Sequence, residues 1–256
     1  MSAGAMVTGT PGAPKVVLIH GLASSYRVWD RVVPLLEDRA DIVAVHLESA
    51  GTIEDDAADT LRTIDSPAIV VGHSRGALVA TALAERRPDL VTALVMLCPP
   101  WSLASRATAR GPIERALTQP GLGDLLWTLA SGERQRAAQR SAFAPGTPVP
   151  DQFVADLRTR GRRNFAAGTR AIDTYLAVRT LPDRLARLTR PIALAFGELD
   201  ARRRAHPTVG GSAGGRGSDH PSNAGRVAVT VARRAAFLEI TDIAITARYY
   251  ARNTGY

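Results

Sequence analysis

The stretch IVVGHSRGALVA, residues 69–80, sets Ser74 between Gly72 and Gly76 where an apolar, β-branched run gives way to a helix-forming one. A serine there can cap the helix that follows it, and one glycine would be enough for such a turn. Two glycines meet a stricter demand, because a backbone that doubles back this tightly leaves no room for a side chain at 72 or 76. The turn lifts the Ser74 hydroxyl above the end of a sheet, where it can attack a carbonyl carbon. A helix N-terminus beneath it supplies partial positive charge and the N–H of Arg75 for the oxyanion that forms.

A second oxyanion donor is expected from LIHGLASS, residues 18–25, where Gly21 lets the backbone turn and the Leu22 N–H face the serine. His20 is expected to order this loop through hydrogen bonds, and His73 to pack behind the serine turn. His46, at the end of another strand-like run, reads as structural or exposed.

These residues need a sheet to hold them. Short apolar runs at 15–19 (KVVLI), 41–45 (DIVAV), 68–71 (AIVV) and 90–97 (LVTALVML) alternate with helical patterns, which implies parallel strands. Helical spacing joins Tyr26, Trp29, Val33 and Leu36, and again Ile53, Ala57, Leu61 and Ile64, with Thr52 as N-cap of the second set. The helix after Ser74 runs until Pro88 stops it. From Trp101 to Arg190 strand character disappears. Amphipathic sets such as Leu125, Leu126 and Leu129, or Ile172, Tyr175 and Leu176, predict several helices there. A strand pattern returns at 191–200 (PIALAFGELD) and again at 226–232 (RVAVTVA), on either side of a Gly, Ser and Arg-rich stretch. The expected organisation is a core made of residues 1–100 and 191–256, an irregular loop over 202–225, and a helical lid over 101–190 inserted in the core.

The strand followed by His-Gly, the GHSRG turn, the helical insertion after LVMLCPPW and the return strand PIALAFGELD together resemble the α/β-hydrolase superfamily, in particular its esterase, lipase and haloperoxidase-like members with a helical lid. The resemblance covers roughly residues 13 to 201. It implies an α/β fold with a mostly parallel sheet flanked by helices, and an acidic residue after the return strand. Asp200 matches that position, with Glu198 as the alternative. It also implies a histidine just after the last strand, where this chain has RRAAFLEI and, near Ala236, no histidine. Beyond Asp200 only His206 and His220 occur, both ahead of that strand. His220 is the candidate base, in the order Ser74, Asp200, His220. The abrupt, arginine-laden change after Ala201 is also what a shifted reading frame in a GC-rich gene would produce.

The net charge of +8 does not imply a nucleic-acid partner. Residues 1–100 carry 8 basic and 12 acidic groups, residues 101–190 carry 15 and 7, and residues 202–256 carry 9 and 3. The excess is dispersed arginine with few aromatics, whereas nucleic-acid readers cluster base-stacking aromatics with a basic face. A single cysteine, Cys98, excludes an internal disulfide, and the first fifteen residues lack the apolar segment of a secretory signal, so a cytoplasmic location is expected. No apolar run approaches the length of a membrane span. The five histidines and Cys98 have no metal-ligand spacing, and GHSRG is neither a phosphate loop nor a dinucleotide fingerprint.

The chemistry expected is cofactor-free cleavage of an ester or thioester of a small, apolar molecule through an acyl-enzyme on Ser74. Two other readings fit the same residues: a catalytically impaired domain that binds a ligand in the lid pocket, and carbon–carbon hydrolysis or cofactor-free oxidation on the same fold.

Overall fold

The computed structural model describes residues 4–109, 112–140, 143, 148–195 and 227–228. Its first strand, β1 (Gly4–Gly9), lies in a segment where the sequence reading placed none. The next four are β2 (Lys15–Ile19), β3 (Asp41–His46), β4 (Ala68–His73) and β5 (Val91–Leu97), each within two residues of the apolar run that predicts it. With the return strand β6 (Ile192–Ala195) and β7 (Val227–Ala228), the described residues form a seven-stranded sheet in the order β1-β3-β2-β4-β5-β6-β7. Only β1 is antiparallel to its neighbour. Every other pairing is parallel, which aligns the strand ends that precede Ser74 and the His20 loop along one edge.

Because both faces of a parallel sheet are covered, successive strand residues feed opposite cores. Val17, Ile19, Val70, Leu94 and Met96 enter a cluster with the helices α1 (Ile53–Leu61) and α2 (Arg75–Arg86). Val16, Leu18, Ile69, Val71 and Val95 enter the other, beneath Val28, Trp29, Val33 and Leu36. Thr52 caps α1 with a reciprocal capping box to Asp55. The helical spacing around Trp29 resolves instead into two short 3-10 segments, Tyr26–Trp29 and Val33–Leu35. Pro34 lacks an N–H and restrains the residue before it, so a longer helix cannot run through.

Between β5 and β6 the described residues form the helices α3 (Leu103–Ala109), α4 (Pro112–Thr118), α5 (Leu122–Leu129), α6 (Gly132–Gln139), α7 (Asp151–Val178) and α8 (Leu181–Leu185). Helix α7 packs Phe153 and Val154 into one core and Ile172, Tyr175 and Leu176 into the other. Its kink at Gly161, with φ 72° and ψ 167°, falls between those two sets. A Cβ there would meet nothing, so glycine serves the backbone angle and not a tight space. On α5 the outcome differs from the amphipathic reading, since Leu125 and Leu129 are exposed. The buried residue is Gly123, where a Cβ would come within 3.0 Å of the Leu117 carbonyl carbon, and the half-buried Leu126 and Trp127 share its face. Trp101 is a core residue packed with the α2 side of the sheet. Among the described residues no helix is long and apolar enough to cross a membrane.

Leu78 on α2 is fully buried, whereas Leu125 is 56% exposed. Leu78→Ala should lower unfolding free energy by about 2 to 5 kcal/mol. Leu125→Ala should change it by less than about 0.5 kcal/mol, both measured by urea denaturation.

Candidate active site

Strain marks one edge of the sheet. Among the described residues, the non-glycine residues with positive φ are Ala23 (54°), Ser49 (55°), Ser74 (51°) and Cys98 (47°), and each lies within four residues of the end of a different strand, β2, β3, β4 or β5. An L-residue held at such an angle costs on the order of 1 kcal/mol or more, and clusters of strained residues accompany functional sites. In open α/β sheets this carboxyl edge is also where ligands bind.

Ser74 stands at its centre, with φ 51° and ψ −117°. Its N–H donates to the Leu97 carbonyl at 2.8 Å, which carries the β4 to β5 ladder into the turn. Its carbonyl accepts from the Ala77 N–H at 3.0 Å, which opens α2. The two glycines are required by space. A Cβ on Gly72 would lie 2.6 Å from the Ala77 Cα, and one on Gly76 would lie 2.6 Å from the His20 carbonyl oxygen. From Ala68 to Ala84 every residue is buried except Ser74, which is half-buried.

The loop after β2 comes up against this turn. A Cβ on Gly21 would be 3.3 Å from the Ser74 Cβ and 3.0 Å from the His73 Nδ1, so Gly21 allows close approach. The left-handed residue of the loop is Ala23, not Gly21, which corrects the reason for the glycine. His20 is buried and bridges two loops: its Nδ1–H donates to the Gly21 carbonyl at 2.8 Å, and its Nε2 accepts from the Leu47 N–H at 3.0 Å. Burial pushes its pKa down to about 3, so the ring is neutral and its two bonds define one tautomer.

His46 is half-buried. It accepts from Arg160 of α7 at 3.0 Å through Nε2, and burial followed by the Arg160 charge lowers its pKa. Arg160 also pairs with Glu48 at 3.1 Å and donates to the Ser24 carbonyl at 3.3 Å, while Ser25 donates to the buried Asp156 at 2.7 Å. These bonds tie the first half of α7 to the loops after β2 and β3. The second half is tied to α2, where Arg184 of α8 pairs with Glu85 at 2.9 Å and lies over the Tyr175 ring at 3.7 Å.

Arg75 has surroundings that its place in the turn does not disclose. Its guanidinium is buried, ion-paired to the buried Asp56 of α1 and bonded to the Ser49 Oγ at 3.1 Å. Burial raises the Asp56 pKa, and the Arg75 charge offsets part of that rise. A signal is present in the sequence: Asp56 shares the core face of its helix with Ile53 and Ala57, and Arg75 opens a helix whose residues 76 to 84 carry no charge and only one polar side chain, Thr81. Asp200, Glu198, His206 and His220 lie outside the described residues. Strand β7 runs parallel to β6, and the sequence from 229 to 256 contains no histidine. Among the described residues no group of three His, Cys, Asp or Glu side chains could hold a metal ion.

Comparison with known proteins adds family and fold. The alpha/beta hydrolase family model matches residues 16–242. A pimeloyl-[acyl-carrier protein] methyl ester esterase of Vibrio vulnificus (strain YJ016) is 31% identical over 202 residues, which cover 73% of this chain and 76% of that protein. Among solved structures, a hydrolase from Pseudomonas aeruginosa PA01 aligns with a TM-score of 0.60 at 20% identity over 76% of each chain. A variant of AqdC, solved with the Pseudomonas quinolone signal whose ring it cleaves, aligns with a TM-score of 0.61 at 21% identity, over 81% of this chain and 78% of that one.

Two outcomes follow from this geometry. Gly76→Val should give insoluble protein or lose the folded circular-dichroism signal, since the added side chain meets the Ile19 and His20 backbone carbonyls. The lowered His20 pKa means the unfolded chain binds the proton first, so stability is full above about pH 6.5 and falls as pH drops toward the folded value. Urea unfolding between about pH 5 and 6.5 should therefore show a slope up to about 1.4 kcal/mol per pH unit steeper in the parent than in His20→Gln.

Proposed function

Because the chain belongs to the alpha/beta hydrolase family, a family of hydrolase-type enzymes, we propose that it is a serine hydrolase cleaving an ester or thioester of a small, apolar acyl group. The observation that carries this reading is Ser74 itself: a strained, half-buried hydroxyl-bearing residue in an otherwise buried strand-turn-helix. Strain of this kind is retained where it aims a reacting group.

In this mechanism His220 takes the Ser74 proton as Oγ attacks the carbonyl carbon, with Asp200 orienting the imidazole and stabilising its charged form. The N–H groups of Leu22 and Arg75 receive the developing oxyanion. Collapse of the tetrahedral intermediate expels the alcohol or thiol, which takes the proton back from His220. Water, activated by the same base, then releases the acid from Ser74. No cofactor enters these steps. Residues 101–190 act as a lid over the site, supported by the way α7 bonds to the loops after β2 and β3, and Trp127 and Phe165, 6.4 Å apart, offer apolar surface within it. The Vibrio relative's name makes a methyl ester on an acyl chain the first substrate to test.

A second reading, a catalytically impaired ligand-binding domain, is favoured by one observation: no histidine follows β7 in the sequence. Without a base the serine stays protonated and turnover falls to what the oxyanion donors supply.

Hydrolysis of p-nitrophenyl butyrate separates the two. The serine mechanism predicts a rate that rises with pH through an imidazole pKa near about 6.5 and is lost by at least about a thousandfold in Ser74→Ala and in His220→Ala alike. His206→Ala should keep parental activity. A parent with no turnover favours the binding domain, and a fully active His220→Ala removes that residue from the mechanism.

A further inference from the structure

The Arg75 side chain lies where three parts of the site meet. Its Nη1 bonds the Ser49 Oγ at 3.1 Å and the Asp56 carboxylate, and Asp56 sits in the first turn of α1. Ser49 is itself held at φ 55°. Above them, α7 presents Gly168, where a Cβ would come within 3.2 Å of the Ser49 carbonyl oxygen and 3.5 Å of the Arg75 Nε. The same Cβ would overlap the end of the Leu22 side chain, so one glycine of α7 rests on the residues that flank Ser74 from both sides.

A guanidinium 1% exposed is an expensive group to bury at the first position of a helix whose next nine residues are buried too. An apolar side chain would fill the same space without the cost of desolvating two charges. What the pair adds is direction, since charge-assisted bonds from one nitrogen, Nη1, to both a carboxylate and a hydroxyl restrict the residue far more than apolar packing does, while Nε and Nη2 find no hydrogen-bond partner among the described residues. The restricted residue is the one that follows Ser74.

We propose that the Arg75 side chain is a positioning residue, anchored by Asp56 and Ser49, that fixes the elbow and the direction of the Arg75 N–H, and that Gly168 seats α7 on this anchor. The proposal rests on the serine-hydrolase reading for its effect on rate, and on geometry alone for its effect on the elbow. A donor displaced from an oxyanion weakens the transition state while leaving ground-state binding nearly unchanged.

The test uses the full chain with Asp56→Asn and Ser49→Ala, the second removing one bond and leaving the ion pair intact in case the first does not fold. Amide hydrogen exchange is followed in the peptide covering 69–80, with the peptide over β2 as reference, and kcat and KM are measured for p-nitrophenyl butyrate per folded molecule. The expected result is exchange at least about tenfold faster in the elbow peptide with β2 unchanged, a kcat lower by about ten- to a hundredfold, and a KM within about twofold of the parent. Arg75→Lys, which keeps the charge but places it on a shorter, more flexible stem than the guanidinium whose Nη1 makes both bonds, should fall between parent and Asp56→Asn. Elbow exchange equal to the parent's, or a lower melting temperature with kcat per folded molecule unchanged, overturns the proposal. If the parent itself has no turnover, it is the serine-hydrolase reading that fails, and the exchange comparison alone decides whether the anchor holds the elbow.

Discussion

The rest of the site depends on one backbone turn. Between β4 and α2 the chain reverses within the span of Gly72 to Gly76, so closely that a single added methyl group at either end would lie against main-chain atoms. Main-chain atoms cannot swing aside as side chains can. The fold therefore accepts a left-handed serine at position 74 and holds it from both directions, through the Leu97 carbonyl on the strand side and the Ala77 N–H on the helix side. A local cost on the order of 1 kcal/mol or more is sustained only because the surrounding strands and helices over-determine the turn.

The same constraint explains why the loop after β2 and the strand ends are arranged as they are. Gly76 lies against the carbonyls of Ile19 and His20, so β2 must end next to α2, and Gly21 must pass Ser74 without a side chain. His20 is a neutral bridge between that loop and the backbone after β3, and its burial keeps it so. Parallel pairing brings the ends of β2, β3, β4 and β5 to one edge, and each end carries one strained residue. Helix α7 spans this edge, bonded on one side through Asp156 and Arg160 and on the other through Tyr175 and its neighbours, with its kink between.

How much of this the sequence discloses depends on whether the determining force is local. Strands β2 to β6 are legible because residues buried on both faces must be apolar, and the elbow is legible because its glycines answer a steric need that shows in five residues. The short strand β1 is not, since GAMVTG is half-exposed, pairs on one side only and has little apolar pattern to read. The segment around Trp29 has helical spacing but carries Pro34, and the proline prevails. The buried pair of Arg75 and Asp56 joins residues nineteen positions apart on different helices, and only tertiary structure reveals such a partner. Of the proposed triad, Ser74 is read from its turn, Asp200 from the family resemblance that places an acid after the return strand, and His220 from its order after Ser74 and Asp200, with His206 the other histidine there. Asp200 and His220 fall in residues beyond the described structure.

The central claim is that Ser74 is an activated nucleophile. Incubating the full chain with a fluorophosphonate and mapping the adduct by peptide mass spectrometry tests it without any choice of substrate. The account predicts one phosphonyl group per molecule, on the peptide containing Ser74, and none in Ser74→Ala. An unmodified parent, or an adduct on another serine, would contradict it.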